Sequence, residues 1–274
     1  MMLQQSDIAS DTSETVVKLL KLLDGRLDHA PLDDRRHMLK AVTYLFVRMG
    51  AAENSLAHFD DLFLRLGASL DVATLAAFAN ALAPAPVVPA ATLRMLAWHE
   101  DAAVADPILA RSVALSRNEL TALATAVDPD RLRSICTRAR IDAELSAIII
   151  RRGDPAATQR LLGNPGAAFT LPDFRNAVSR AVSDSRGRIE LRQPVDILDF
   201  AGRRSGRCMT RDISPRGVKI ELAGGGRPPD SFMIELPGIE HARLTCRYVW
   251  HRDSMVGAML PEPLFDQLAA QQSR

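Results

Sequence analysis

A chain of 274 residues with 47% hydrophobic and 24% charged side chains can bury one large core or two modest ones, and its formal charge of +1 is nearly balanced, so no nucleic-acid polymer is expected as a partner. No run approaches the roughly eighteen apolar residues of a membrane span, and Met1-Met2-Leu3-Gln4-Gln5-Ser6-Asp7 has neither the basic start nor the apolar stretch of a secretory signal; a cytoplasmic protein without membrane insertion is expected. Cys136, Cys208 and Cys246 are odd in number and lack CxxC spacing, which argues against a disulfide framework or a zinc site and for small core residues.

Up to about Ser183 the chain reads as helix after helix, with expected spans at 14–23, 34–49, 56–66, 72–82, 91–99, 104–115, 117–127, 131–138, 143–152, 156–162 and 171–182. Apolar residues recur at three and four, as in Val17, Leu20 and Leu23 or Leu39, Val42, Phe46 and Met49, so these helices are amphipathic. Ser116 with Glu119 has the capping-box spacing, and Asp71, Asp128 and Asp154 mark further starts. Trp98-His99-Glu100 reads as a helix end. From about Pro89 the helices repeat loosely: Leu93 to Ala97, Leu132 to Cys136 and Gln159 to Gly163 each open a unit closed by a second apolar helix. Such pairs bury their faces only by stacking, and their uneven spacing predicts a degenerate α-solenoid of the HEAT kind. Ala102 to Ser112, Arg152-Gly153-Asp154-Pro155 and Asn164-Pro165-Gly166-Ala167 resemble a bacterial HEAT-like helical-repeat family of unknown function, a likeness that implies an architecture and no chemistry.

Asp184-Ser185-Arg186-Gly187-Arg188 is small, charged and glycine-containing, and divides an α-helical domain, 1–184, from a β domain, 185–274. Strands are expected at 195–201, 206–213, 218–223, 231–236, 242–250 and 255–260, joined by turns at Gly224 to Gly226 and Pro237-Gly238, with a short helix at 261–270. Alternation over Ala242, Leu244, Cys246, Tyr248 and Trp250 places Trp250 in the core. Closure of six antiparallel strands into a barrel manages their edges, so the fold class is multidomain α + β. Within it, Val218, Ile220 and Leu222 form a dry face. Before them Asp212 and Ser214 sit in a turn tightened by Pro215, and Gly217 leaves room for a close approach.

Arg188-x-x-x-Arg192 followed by Gln193-Pro194-Val195, and then Asp212-x-Ser214-x-x-Gly217, resembles the paired signature of PilZ domains, small β-barrels that bind the second messenger cyclic di-GMP. The resemblance spans about residues 186–268. It implies ligand contacts from Arg188, Arg192, Asp212, Ser214 and Gly217, with Arg186 and Arg211 as auxiliaries. The chemistry suits the ligand: a guanidinium grips phosphate or the guanine O6/N7 edge bidentately and stacks on a base, and a carboxylate accepts from guanine N1–H and N2–H. Arg203 and Arg207 repeat the spacing but fall between strands and read as a hairpin tip. His29, His37, His58, His99, His241 and His251 are scattered, without HExxH, GxSxG or a phosphate loop, so neither an enzyme nor a bound cofactor or metal is expected. The expected function is a cyclic di-GMP receptor whose helical domain signals to a protein partner; the alternative is a scaffold whose barrel binds no nucleotide. The sequence leaves the partner, and the choice between monomer and homodimer, open. Arg188 lies on the joint between the domains, which is expected to be mobile before ligand binds.

Overall fold

The short helices predicted from apolar spacing recur in the computed structural model, which describes residues 30–49, 53–184, 187–223 and 227–271; the expected helix 14–23, the turn 224–226 and Arg186 lie outside those residues. Two compact units divide between Leu123 and Ala124. The first holds α1 (Leu32–Met49), α2 (Glu53–Gly67), α3 (Val72–Leu82), α4 (Ala90–Ala97), α5 (Ala102–Arg111) and the start of α6 (Arg117–Ala126). Two of these helices, α3 and α6, are capped as the sequence predicts. The Asp71 carboxylate accepts from the Thr74 N–H at 3.0 Å, and Ser116 and Glu119 close a reciprocal box, the Ser116 N–H donating to Glu119 Oε2 at 2.9 Å and the Glu119 N–H to Ser116 Oγ at 3.3 Å. Phe46, Phe59, Phe63 and Phe78 form the centre of this unit, with neighbouring ring centroids 4.9–5.8 Å apart in edge-on and tilted contacts.

The second unit contains α7 (Pro129–Ile135), α8 (Ala143–Arg152), α9 (Pro155–Leu162), α10 (Leu171–Asp184), the strands, and α11 (Leu264–Ala269). Asp128 and Asp154 cap α7 and α9, accepting from the N–H groups of Arg131 and Ala157. The strands are β1 (Ile189–Glu190), β2 (Pro194–Leu198), β3 (Arg204–Ser214), β4 (Gly217–Leu222), β5 (Ser231–Leu236), β6 (Ala242–Arg252) and β7 (Met255–Met259). Six of them pair in the order β3-β2-β5-β6-β7-β4, and the β3–β4 pairing closes the ring into an antiparallel barrel. Phe232, Ile234, Leu244, Ile220 and Val256 fill it, and α11 covers it with the fully buried Leu264 and Leu268. The short β1 is an addition to the expected strands. It pairs with the far end of β3, Glu190 opposite Asp212, beyond the stretch that β2 occupies.

Described residues on either side of the expected joint are hydrogen-bonded to one another. The chain changes from helix to strand after Asp184, yet α9, α10 and the loop between them are tied to the barrel on both sides of that point. The Arg192 N–H donates to the Leu162 carbonyl at 3.2 Å, Gln159 Nε2 to the Glu190 carbonyl at 3.0 Å, and the Phe169 N–H to the Gly238 carbonyl at 2.8 Å. Gln193, 1% exposed, donates to the Asn164 carbonyl at 2.8 Å. These bonds join residues far apart in sequence, which the composition of 184–188, with its glycine and lack of apolar residues, does not announce.

Candidate functional site

Simple alternation along β3 would send Asp212 inward with Cys208 and Thr210, both buried. A bulge prevents this. Thr210 pairs with Ile220 but Asp212 pairs with Lys219, so β3 carries one more residue than β4 over this interval, at Arg211. Beyond the bulge Ile213 is the buried side chain, and Asp212 and Ser214 stand on the outer face. β6 does the same: Tyr248 pairs with Ala258 and Trp250 with Gly257, leaving Val249 as the extra residue. Trp250 therefore stands outside the barrel, 42% exposed, which corrects its assignment to the core.

The two bulges end one row. Asp212 pairs with Lys219, Lys219 with Gly257 and Gly257 with Trp250, on four adjacent strands and thus over about 14 Å. The neighbouring row is Ser214, Gly217 and Met259. The indole lies flat against Gly257, where a Cβ would come within 2.0 Å of Trp250 Nε1. A groove of about 320 Å³ runs over these rows, lined by Arg188, Ser214, Arg216, Gly217, Lys219, Trp250 and their neighbours Val249 and Met259. Its described lining carries three cationic side chains and no carboxylate.

The signature residues take different places. Arg188 reaches across to form an ion pair with Asp212 Oδ1 and passes over Gly217, where a Cβ would meet its guanidinium at 3.6 Å and the Ala258 carbonyl at 3.2 Å. Lys219 Nζ stands 3.9 Å from the other Asp212 oxygen, so that carboxylate lies between two cations. The Ser214 hydroxyl donates to the Gly217 carbonyl at 3.2 Å and fixes the turn. Arg188, Asp212, Ser214 and Gly217 are thus brought together. Arg192 is exposed and is not among the residues lining the groove. Arg211 pairs with Glu221, one row away. Arg203 and Arg207 are at the β2–β3 hairpin with carboxylates of their own, Asp199 at 2.7 Å and Asp196 at 3.6 Å.

Sequence reasoning passed over Arg216, Lys219, Val249 and Met259. The available signal was parity: Ile213 is apolar out of step with Cys208 and Thr210, and two adjacent polar residues, Arg211 and Asp212, precede it.

Residues 104–197 match an uncharacterised protein family conserved in bacteria, DUF2336. This agrees with the expected likeness to a bacterial family of unknown function. The match runs from α5 through the helix-to-strand change into β2 and includes Arg188 and Arg192. No match to the PilZ family accompanies it, and no curated protein matches the chain. Among the described residues no group of three or more His, Cys, Asp or Glu side chains could hold a metal ion, and no helix is long and apolar enough to cross a membrane. The three thiols are buried, and burial pushes Cys136 and Cys208 up to about 12 and Cys246 upward as well, so they carry no thiolate chemistry.

Proposed function

We propose that the outer groove binds cyclic di-GMP, that the barrel is PilZ-like, and that the chain is a non-enzymatic receptor whose HEAT-like helices pass ligand occupancy to a protein partner. The observation that carries this reading is the pair of bulges. Each turns outward a side chain that alternation would bury, and both serve the same row, with an acceptor at one end and an aromatic plane at the other. Guanine needs both. Phosphate needs cations, which the groove has in excess over carboxylates. The bonds from α9 to Glu190 and Arg192 give ligand contacts at Arg188 a direct mechanical path into the helices.

Calorimetric titration of the full chain with cyclic di-GMP tests the reading. Replacing Arg188 by alanine is expected to weaken binding roughly tenfold to a hundredfold, the worth of one charge-assisted contact, while alanine at both Arg203 and Arg207 leaves it unchanged. Absence of both heat and a melting shift at about 100 μM ligand refutes it.

The second reading, a protein-binding scaffold, is favoured by one observation: Arg188 is already paired with Asp212 and Arg192 lies away from the groove, so the signature is satisfied without a ligand. The same titration separates the two.

A further inference from the structure

The cations of the groove differ in what already holds them. Arg188 is engaged by Asp212, and Lys219 leans on the same carboxylate. Arg216 is exposed, lines the groove, and has no hydrogen-bond or ion-pair partner for its guanidinium among the described residues. Its backbone is held firmly nevertheless. The turn that presents it is fixed by the Ser214 hydroxyl on the Gly217 carbonyl, by the Leu260 N–H on the Arg216 carbonyl at 3.0 Å, and by the Leu264 N–H on the Pro215 carbonyl at 2.8 Å. A fixed backbone beneath an uncommitted guanidinium is a low-cost arrangement for gripping an anion, because only the side chain has to be ordered.

We propose that Arg216 is a further ligand-binding residue of this groove, the cation that meets a phosphate of the bound dinucleotide. The inference rests on the proposed binding of cyclic di-GMP, and it follows from a count of charges. Two phosphodiesters bring two negative charges. When Arg188 leaves Asp212 for one of them, Lys219 remains beside the carboxylate and keeps it paired. The second phosphate then needs another cation at the groove, and Arg192 does not line it; Arg216 does, flanking Gly217 on the side opposite Lys219 in sequence. Arg188 and Arg216 would bracket the one position in the turn where a side chain is sterically opposed, Gly217.

The test is calorimetric titration of the full-length protein with cyclic di-GMP, for the wild type, Arg216→Gln and Arg216→Lys, each at low and high salt. The glutamine variant is expected to bind roughly tenfold more weakly at about 50 mM NaCl and only a few-fold more weakly at about 500 mM, since salt screens the lost attraction. Lysine, which keeps the charge but loses the bidentate fork, should fall between. Melting temperatures without ligand should be equal, because Arg216 holds no other group in place. Wild-type binding that glutamine leaves untouched at both salt concentrations overturns the role of Arg216 while leaving the receptor reading intact. A salt-independent loss accompanied by a lowered melting temperature also overturns it, as that marks a structural role. Failure of the wild type to bind at all overturns both.

Discussion

Replacing Gly257 by alanine should unseat Trp250 from the barrel wall. The added Cβ would stand 2.0 Å from the indole nitrogen and 2.2 Å from Cε2, far inside contact distance, and an exposed ring has room to swing away where a strand does not. The magnitude follows from coverage. With Trp250 42% exposed, a little over half of it is covered. Taking about 150–250 Å² for a large aromatic side chain and about 25 cal/mol per Å², that cover contributes at most about 2–4 kcal/mol. A swung-out ring keeps part of its contact with neighbours, so a loss of about 1–2 kcal/mol and a fall in melting temperature of about 2–8 °C are expected. Indole fluorescence reports the movement directly if Trp98, the other tryptophan, is first replaced by phenylalanine: emission should shift to the red. In the same protein cyclic di-GMP should bind roughly five- to a hundredfold more weakly, the worth of one base–aromatic stack. An unshifted spectrum with an unchanged melting temperature would refute the seating of Trp250 on Gly257, and with it the account of the groove's aromatic end.

Two further outcomes are expected. Asn164, 9% exposed, donates to the carbonyls of Cys136 and Arg138 at 2.7 and 2.8 Å and accepts from the Gly166 N–H at 2.8 Å, so Asn164→Ala leaves three backbone groups unpaired and should lower unfolding free energy in urea by about 3–5 kcal/mol; a change under about 1 kcal/mol would count against these three bonds. The backbone N–H of Thr74, its hydroxyl and the Arg36 guanidinium hold the Asp71 carboxyl down at about 2 against an ordinary 3.8. A depressed folded value means that this contribution is complete above 3.8 and fades as pH falls through about 2, so the wild type should lose more stability over that interval than Asp71→Asn, and equal losses would contradict the cap.

Most helices and strands were legible because their cause is local. Aspartate caps at 71, 128 and 154 and the Ser116–Glu119 box announce helix starts by chemistry within three residues, and Val218, Ile220 and Leu222 announce β4 by period. The signature turn was legible for the same reason: Asp212, Ser214 and Gly217 lie within six residues. Trp250 was not, because its direction depends on whether β6 has one residue more than β7, which no property of Trp250 encodes. The role of Lys219 was hidden likewise; its distance to Asp212 follows from register across the β3 bulge. The bonds on either side of the joint at Gly187 were hidden as well. Its residues are those of a flexible linker, and the bonds beside it join Arg192, Glu190 and Gln193 to Leu162, Gln159 and Asn164, which belong to a different stretch of chain.

The bulge at Arg211 makes the character of the outer face a matter of counting. Removing that one residue would leave Asp212 outside and Ile213 inside, as they are now, whereas keeping it and pairing it in strict alternation would turn Asp212 toward the interior in place of Ile213. Ile220, Phe232, Leu244 and Val256 hold the barrel whatever the outer rows carry. An insertion or deletion in β3 or β6 that a bulge absorbs leaves both faces as they are, and one that no bulge absorbs exchanges the inner and outer residues beyond it.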